Sequence, residues 1–314
     1  MKRIIAVLTA FLIIGAAEQS WSFLDQLIVP PAEKKQSQNK GQAKPSEPKG
    51  LLEGIGGLLG AKEKDVDLIK KGLKTVQSLQ PIGVEEEIAI GQAVAIEAFS
   101  RFGGEYKDDG LTTYVNLVGK TVADSSDRPE LTYRFAILDS REQNAFAAPG
   151  GYIFVTIGLL KTLKNEAELA GVLAHEVAHV AQKHMLKTLQ RSAILANMSE
   201  LSLSAMNKDP QLFSNVIGAA TNMLFEKGLD KELEFEADAF GVEYAYRAGY
   251  HPNGLRDYLT TLQGQEGRAT SRFFSTHPST SIRLAKAKEV AARYADATKF
   301  PYLTERFRSR MKMA

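Results

Sequence analysis

The five residues His175-Glu176-Val177-Ala178-His179 constrain this chain more than any other stretch. They lie in an apolar run where Leu169, Leu173, Val177 and Val180 recur at helical spacing. Asn165, with Glu168 three residues later, is a capping pattern that starts a helix at that point. Residues four apart on a helix share one face one turn apart, so imidazoles at 175 and 179 can meet a single ion. Glu176 points to one side of that face, within reach of a water beside the ion. Two histidines also fall together on a helix by chance, so the rest of the chain has to decide what the motif is.

Catalytic zinc takes three protein ligands and leaves one position open. A metzincin would carry Gly at 182 and His at 185, but this chain has Gln182 and Met185. The remaining candidate donor is a carboxylate on a second helix. The run from Lys231 to Phe240 offers Glu232, Glu234 and Glu236, with Asp230 placed to cap it. Glu234 and Asp238 are four apart and share a face. Glu234 can therefore take the metal while Asp238 accepts a hydrogen bond from a liganding histidine. Glu236 points elsewhere and reads as solvent-facing. Gly241 and Ala245 continue the face with small side chains, which lets the two helices approach closely, and Gly249 and Pro252 mark the end. A charge cluster is ordinarily a solvated helix face; the histidine motif tips this one towards a ligand.

Three non-cysteine ligands beside a glutamate is the catalytic layout, whereas structural zinc sites are closed and usually thiolate-rich. The chain has no cysteine, which also excludes disulfides and a thiol nucleophile. Its 39 Lys and Arg against 37 Asp and Glu give no reason to expect nucleic acid as a partner.

Lys2 and Arg3 precede an uncharged apolar run, Ile4 to Ala17, ending in small residues. This is the pattern of a secretory signal peptide, short for a spanning helix, with cleavage after Ala17 or Ser22. Residues 1–22 are thus expected to be a signal peptide directing export. Residues 23–80 read as a flexible, Pro- and Lys-rich linker followed by a helical segment at 61–80, and residues 81–314 as the compact domain. Within that domain, helices are expected over Glu85–Phe102 and Leu111–Ala123, then a strand over Leu131–Leu138. Asn144 to Thr156, broken by Pro149-Gly150-Gly151, reads as a hairpin, and from Asn165 the pattern is helical almost to the end. The fold class is α+β: mainly helical and zincin-like (gluzincin), with one small β-sheet.

Four segments carry a resemblance: Asn144 to Ile153, Leu169 to His179, Glu234 to Phe240, and Thr276 to Arg283. From about Val84 to Ala285 the chain resembles the zinc metallopeptidase family that contains the CAAX prenyl endopeptidase, the HtpX-type membrane proteases and their soluble periplasmic relatives. It looks like the soluble, exported branch, associated with envelope protein quality control. The resemblance implies one Zn2+ per chain on His175, His179 and Glu234, with Glu176 as general base. It also implies a substrate backbone held by strand addition along Asn144, Ala145, Phe146 and Ala147, with the side chains structural.

By the same resemblance, the loop carrying His277 lies over the metal in some soluble relatives. His277 would then occupy the open position or stabilise an oxyanion. Arg283 is a weaker candidate, for holding that loop or for binding substrate. His184 reads as a simple extension of the zinc helix, and His251 as a turn residue. The implied partners are unfolded polypeptides of a periplasm. The alternative is a zinc-containing chaperone or assembly factor whose peptidase is gated off by His277. Peripheral membrane contact through Arg306, Arg308, Arg310 and Lys312 is weaker than a solvated terminal helix.

Overall fold

Three short strands and one helix buried on every side organise the domain. The computed structural model describes residues 82–195, 203–264, 277, 280–294, 296 and 299–312. The expected signal peptide, linker and 61–80 helix lie outside them. Helix α1 (Val84–Arg101) begins with three glutamates, which suit the positive end of its dipole. Helix α2 (Asp109–Ala123) is capped by Asp108, whose carboxylate accepts the Leu111 N–H at 2.8 Å. Strands β1 (Arg134–Leu138), β2 (Ala145–Ala148) and β3 (Tyr152–Thr156) follow, with a 3-10 turn at Pro149–Gly151 between β2 and β3.

The expected hairpin is present: β2 and β3 are antiparallel, Phe146 facing Phe154. The pairing of β1 parallel to β3, giving the order β1-β3-β2, is not visible in local pattern. It brings together segments separated by the whole β2 excursion. Side chains alternate across the sheet. Phe135, Ile137, Ile153 and Val155 join an aliphatic core, while Phe146 and Phe154 stack against Phe99, Phe102 and Phe225 on the other face.

After the short α3 (Ile157–Leu160) comes α4 (Glu166–Ala181), the histidine helix. Asn165 caps it as expected, accepting the Glu168 N–H at 2.9 Å, and Glu168 reaches back to the Lys164 N–H at 2.8 Å. Its four apolar positions suggest a helix with one packing face, but every residue from Glu166 to Ala181 is buried. The chain then continues through α5 (His184–Leu195), α6 (Leu203–Lys208), α7 (Pro210–Asn222), a π-helical turn at Met223–Lys227 and α8 (Lys231–Arg247). It closes with α9 (Gly254–Gln263), α10 (Thr280–Ala291) and α11 (Thr304–Met311). Helices α8, α9 and α2 and the sheet surround α4.

Two glycines allow that enclosure. A Cβ on Gly254 would sit 1.9 Å from the Ala167 carbonyl, and one on Gly241 would sit 3.0 Å from the Cα of His175. Each fully buried Leu or Val on α4 then contributes about 1.5–3 kcal/mol of apolar burial. A buried ion pair fixes the opposite corner. Arg128 grips Glu87 through two bonds of 2.9 and 3.0 Å and donates to the Val180 carbonyl, while Glu87 also accepts the Gly150 N–H. The hairpin turn, α1 and the end of α4 are thereby tied together. Among the described residues no helix is long and apolar enough to cross a membrane.

Candidate metal centre

His175 and His179 lie on one face of α4, as their spacing requires, with Nε2 atoms 3.1 Å apart. Glu234, in the first turn of α8, places its two oxygens each 3.5 Å from one of those nitrogens. His277 closes the group, its Nδ1 2.7 Å from Glu234 Oε2. One donor atom from each of these four residues lies within 4.8 Å of all the others, and all four side chains are buried.

The side chains around the cluster differ in part from expectation. Asp238 meets His175 Nδ1 at 2.9 Å, as the four-residue spacing on α8 predicts. Arg283 is fully buried on α10. It donates to both Asp238 oxygens at 2.8 and 2.7 Å, and its Nη1 lies 3.4 Å from Glu234. Asp230 stands at the start of α8 but does not cap it with its side chain, which instead accepts from Arg191 at 3.1 Å. His184 does not extend α4. The helix stops at Ala181, Lys183 adopts a left-handed φ of 56°, and His184 begins α5 completely buried against His179. Glu236, read as solvent-facing, is only half-exposed and lies 3.5 Å from His184. His251 is a structural residue stacked on Tyr302 at 4.3 Å. In the basic tail, Arg306 is engaged by the buried Glu166.

The candidate substrate strand borders the cluster. Asn144 is buried at the mouth of β2, and its carbonyl accepts the Thr156 N–H of β3 at 3.0 Å. Alternation therefore turns the backbones of Ala145 and Ala147 to the outer edge of the sheet. There the Ala145 carbonyl lies 3.4 Å from His277 Nε2. Phe146 sends its ring into the aromatic cluster rather than outward. A narrow apolar groove beside Glu176 and His179 is lined by Phe146, Ala147, Met223, Leu224 and Leu229.

Do these residues fit a metal? Both oxygens of Glu176 and Oε1 of Glu234 are buried with no hydrogen-bond partner among the described residues, which is costly unless a cation answers them. Three buried carboxylates, Glu176, Glu234 and Asp238, face one guanidinium. Imidazole and carboxylate donors without thiolate suit zinc. The local fields favour positive charge beside the carboxylates. Burial and Arg283 disfavour a protonated His175, yet its bonds to Asp238 and Glu234 prevail and its pKa is pushed up to about 9. Burial holds His179 well below its ordinary value. For Glu234, burial is outweighed by the surrounding histidines and the carboxyl stays well below the usual range. Glu176, by contrast, is raised by burial, the direction wanted in a group that must take and return a proton.

A model of peptidase family M48 matches residues 111–291, more than half of the chain. The chain belongs to peptidase family M48. The buried group of His175, His179, Glu234 and His277 is consistent with the one zinc ion of that family. Among similar proteins, the beta-barrel assembly-enhancing protease of Escherichia coli (strain K12) is 31% identical over 196 residues, covering 59% of this chain and 39% of that protein. The mitochondrial metalloendopeptidase OMA1 of Schizosaccharomyces pombe is 29% identical over 205 residues, 62% of this chain and 59% of that one. The metalloprotease YcaL of Escherichia coli (strain K12) is 27% identical over 167 residues, 53% and 64% respectively. The chain thus spans only about two fifths of the length of the assembly-enhancing protease.

Proposed function

We propose that this chain is a zinc-dependent endopeptidase acting on misfolded or misassembled proteins of the cell envelope after export. In this reading His175, His179 and Glu234 hold the metal, Glu176 is the general base, and His277 covers the position at which the scissile bond must bind. The observation that carries the reading is the buried Glu176, neither of its oxygens hydrogen-bonded among the described residues and one of them 3.8 Å from His277 Nε2, beside three convergent donors on two helices.

When bound, zinc supplies a Lewis acid that acidifies a water and polarises a carbonyl. Glu176 takes the proton of the attacking water and returns it to the leaving amine. Asp238, held by Arg283, orients His175 through its Nδ1. The substrate backbone aligns along the outer edge of β2, pairing with Ala145 and Ala147, and an apolar side chain enters the groove between Phe146 and Leu224. Envelope substrates are supported by the name of the assembly-enhancing relative and by the signal-like start of the chain.

His277 supports a second, compatible reading, in which the resting enzyme is latent. Its ring lies between Glu234 and the Ala145 carbonyl, on the very edge a substrate strand would use. A chaperone or assembly role with the peptidase gated off would follow if that contact never opens.

Casein cleavage by wild type, Glu176→Gln and His277→Ala, with zinc content measured alongside, tests both readings. Glu176→Gln is expected to keep zinc and to lose about 10²–10⁴-fold in activity, the usual worth of a general base. Full activity in that variant would overturn the assignment. Higher turnover in His277→Ala than in wild type supports latency, and equal or lower turnover removes it.

A further inference from the structure

His179 presents Nε2 towards the other donors, which leaves its Nδ1 to be held by something else. That partner is neither a carboxylate nor a backbone carbonyl. It is Nδ1 of His184, at 2.9 Å, with the two rings 4.9 Å apart and nearly perpendicular. His184 is completely buried, and behind it Nε2 lies 3.5 Å from Glu236 Oε2. The contact depends on the chain leaving the helix. On an unbroken helix, residues five apart lie about 140° round the axis and cannot face each other. The left-handed Lys183 turns the backbone so that His184 folds back beneath His179.

Two imidazole nitrogens at hydrogen-bond distance require one proton between them, one ring donating and the other accepting. A metal-ligating His179 has a bare Nε2, so its proton sits on Nδ1. His184 must then accept at Nδ1 and carry its own proton on Nε2, which lies 3.5 Å from Glu236 Oε2 without a hydrogen bond among the described residues. We infer that His184 is the positioning residue of the second metal histidine, fixing His179 in its Nδ1–H tautomer through the hydrogen bond between the two Nδ1 atoms, with Glu236 as a nearby negative charge behind His184. The inference rests on the assignment of His179 as a zinc ligand.

The test is zinc affinity, measured by competition with a chelating dye, for wild type, His184→Leu, His184→Asn and Glu236→Gln. Losing the partner of a metal histidine costs about 10–100-fold in affinity, the loss expected of His184→Leu. Asparagine places its Oδ1 close to where His184 Nδ1 accepts, so His184→Asn is expected to recover most of that loss. Glu236→Gln should cost less than His184→Leu, because Glu236 acts one residue further out. Wild type that binds no zinc would sink the metal reading itself. Tight zinc binding by wild type and by His184→Leu alike would sink only the positioning role, as would an asparagine variant no better than leucine. A second measurement needs no variant. Nitrogen-15 shifts of the zinc-loaded wild type should show His184 as the Nε2–H tautomer, and the Nδ1–H tautomer would overturn the inference.

Discussion

His175 and His179 sit one turn apart on the same helix, yet their outer nitrogens are held by different chemistry. His175 meets Asp238, a buried carboxylate whose two oxygens are gripped by the equally buried Arg283. His179 meets His184, an uncharged ring whose pKa burial lowers to about 4, backed by a half-exposed glutamate. The first arrangement spans three helices, α4, α8 and α10, and stands on the charged pair of Asp238 and Arg283. The second spans one backbone break and leans on α8 only through Glu236. A charged anchor holds its histidine firmly but leaves buried charge behind when one member is removed. A neutral anchor is cheaper to bury and weaker as an orienting group.

The largest effect should follow from breaking the charged side. Asp238→Ala leaves Arg283 buried without its main partner, and denaturant unfolding should show a loss of about 3–5 kcal/mol. Replacing both members, as Asp238→Leu with Arg283→Met, should recover much of that stability while zinc affinity stays low. Failure of the double variant to recover would mean that the pair does more than neutralise itself. An intermediate effect is expected at Gly241, where α8 crosses α4 beside His175. The added Cβ of Gly241→Ala would press on the His175 backbone at 3.0 Å, so a loss of about 1–3 kcal/mol is expected in the same assay.

The neutral side should respond least, and through backbone geometry. Lys183→Gly suits the left-handed φ and should leave stability within about 1 kcal/mol of wild type, with zinc affinity unchanged. The β-branched Lys183→Val should instead cost roughly 1–2 kcal/mol. If both variants behave alike, the turn at Lys183 is not what sets His184 beneath His179.

What could be read from the linear chain follows local periodicity. The helical spacing of 175 and 179, the Asn165 cap, the pairing of Glu234 with Asp238 on one face, the small residue at 241 and the Pro-Gly-Gly hairpin all depend on residues within a few positions of one another. Each reappears in the fold. His184 did not, because no glycine or proline announces a break after Ala181; a lysine in the left-handed region carries no reliable signature. The one signal available was a third histidine five residues past the motif, a spacing that is meaningful only once the helix is known to stop.

The sequence by itself determined the donor types, the exclusion of thiolate chemistry and the presentation of two imidazoles on one helix face, since these follow from composition and from 3.6 residues per turn. The tertiary structure alone decided which buried groups stand behind them. Arg283 is 45 residues from Asp238, and His277 is 43 from Glu234. The parallel pairing of β1 with β3, which makes β2 the edge beside the site, is likewise long-range. Such contacts are set by how helices and strands pack around α4. Neither periodicity nor capping carries information about a partner that the chain reaches only after folding.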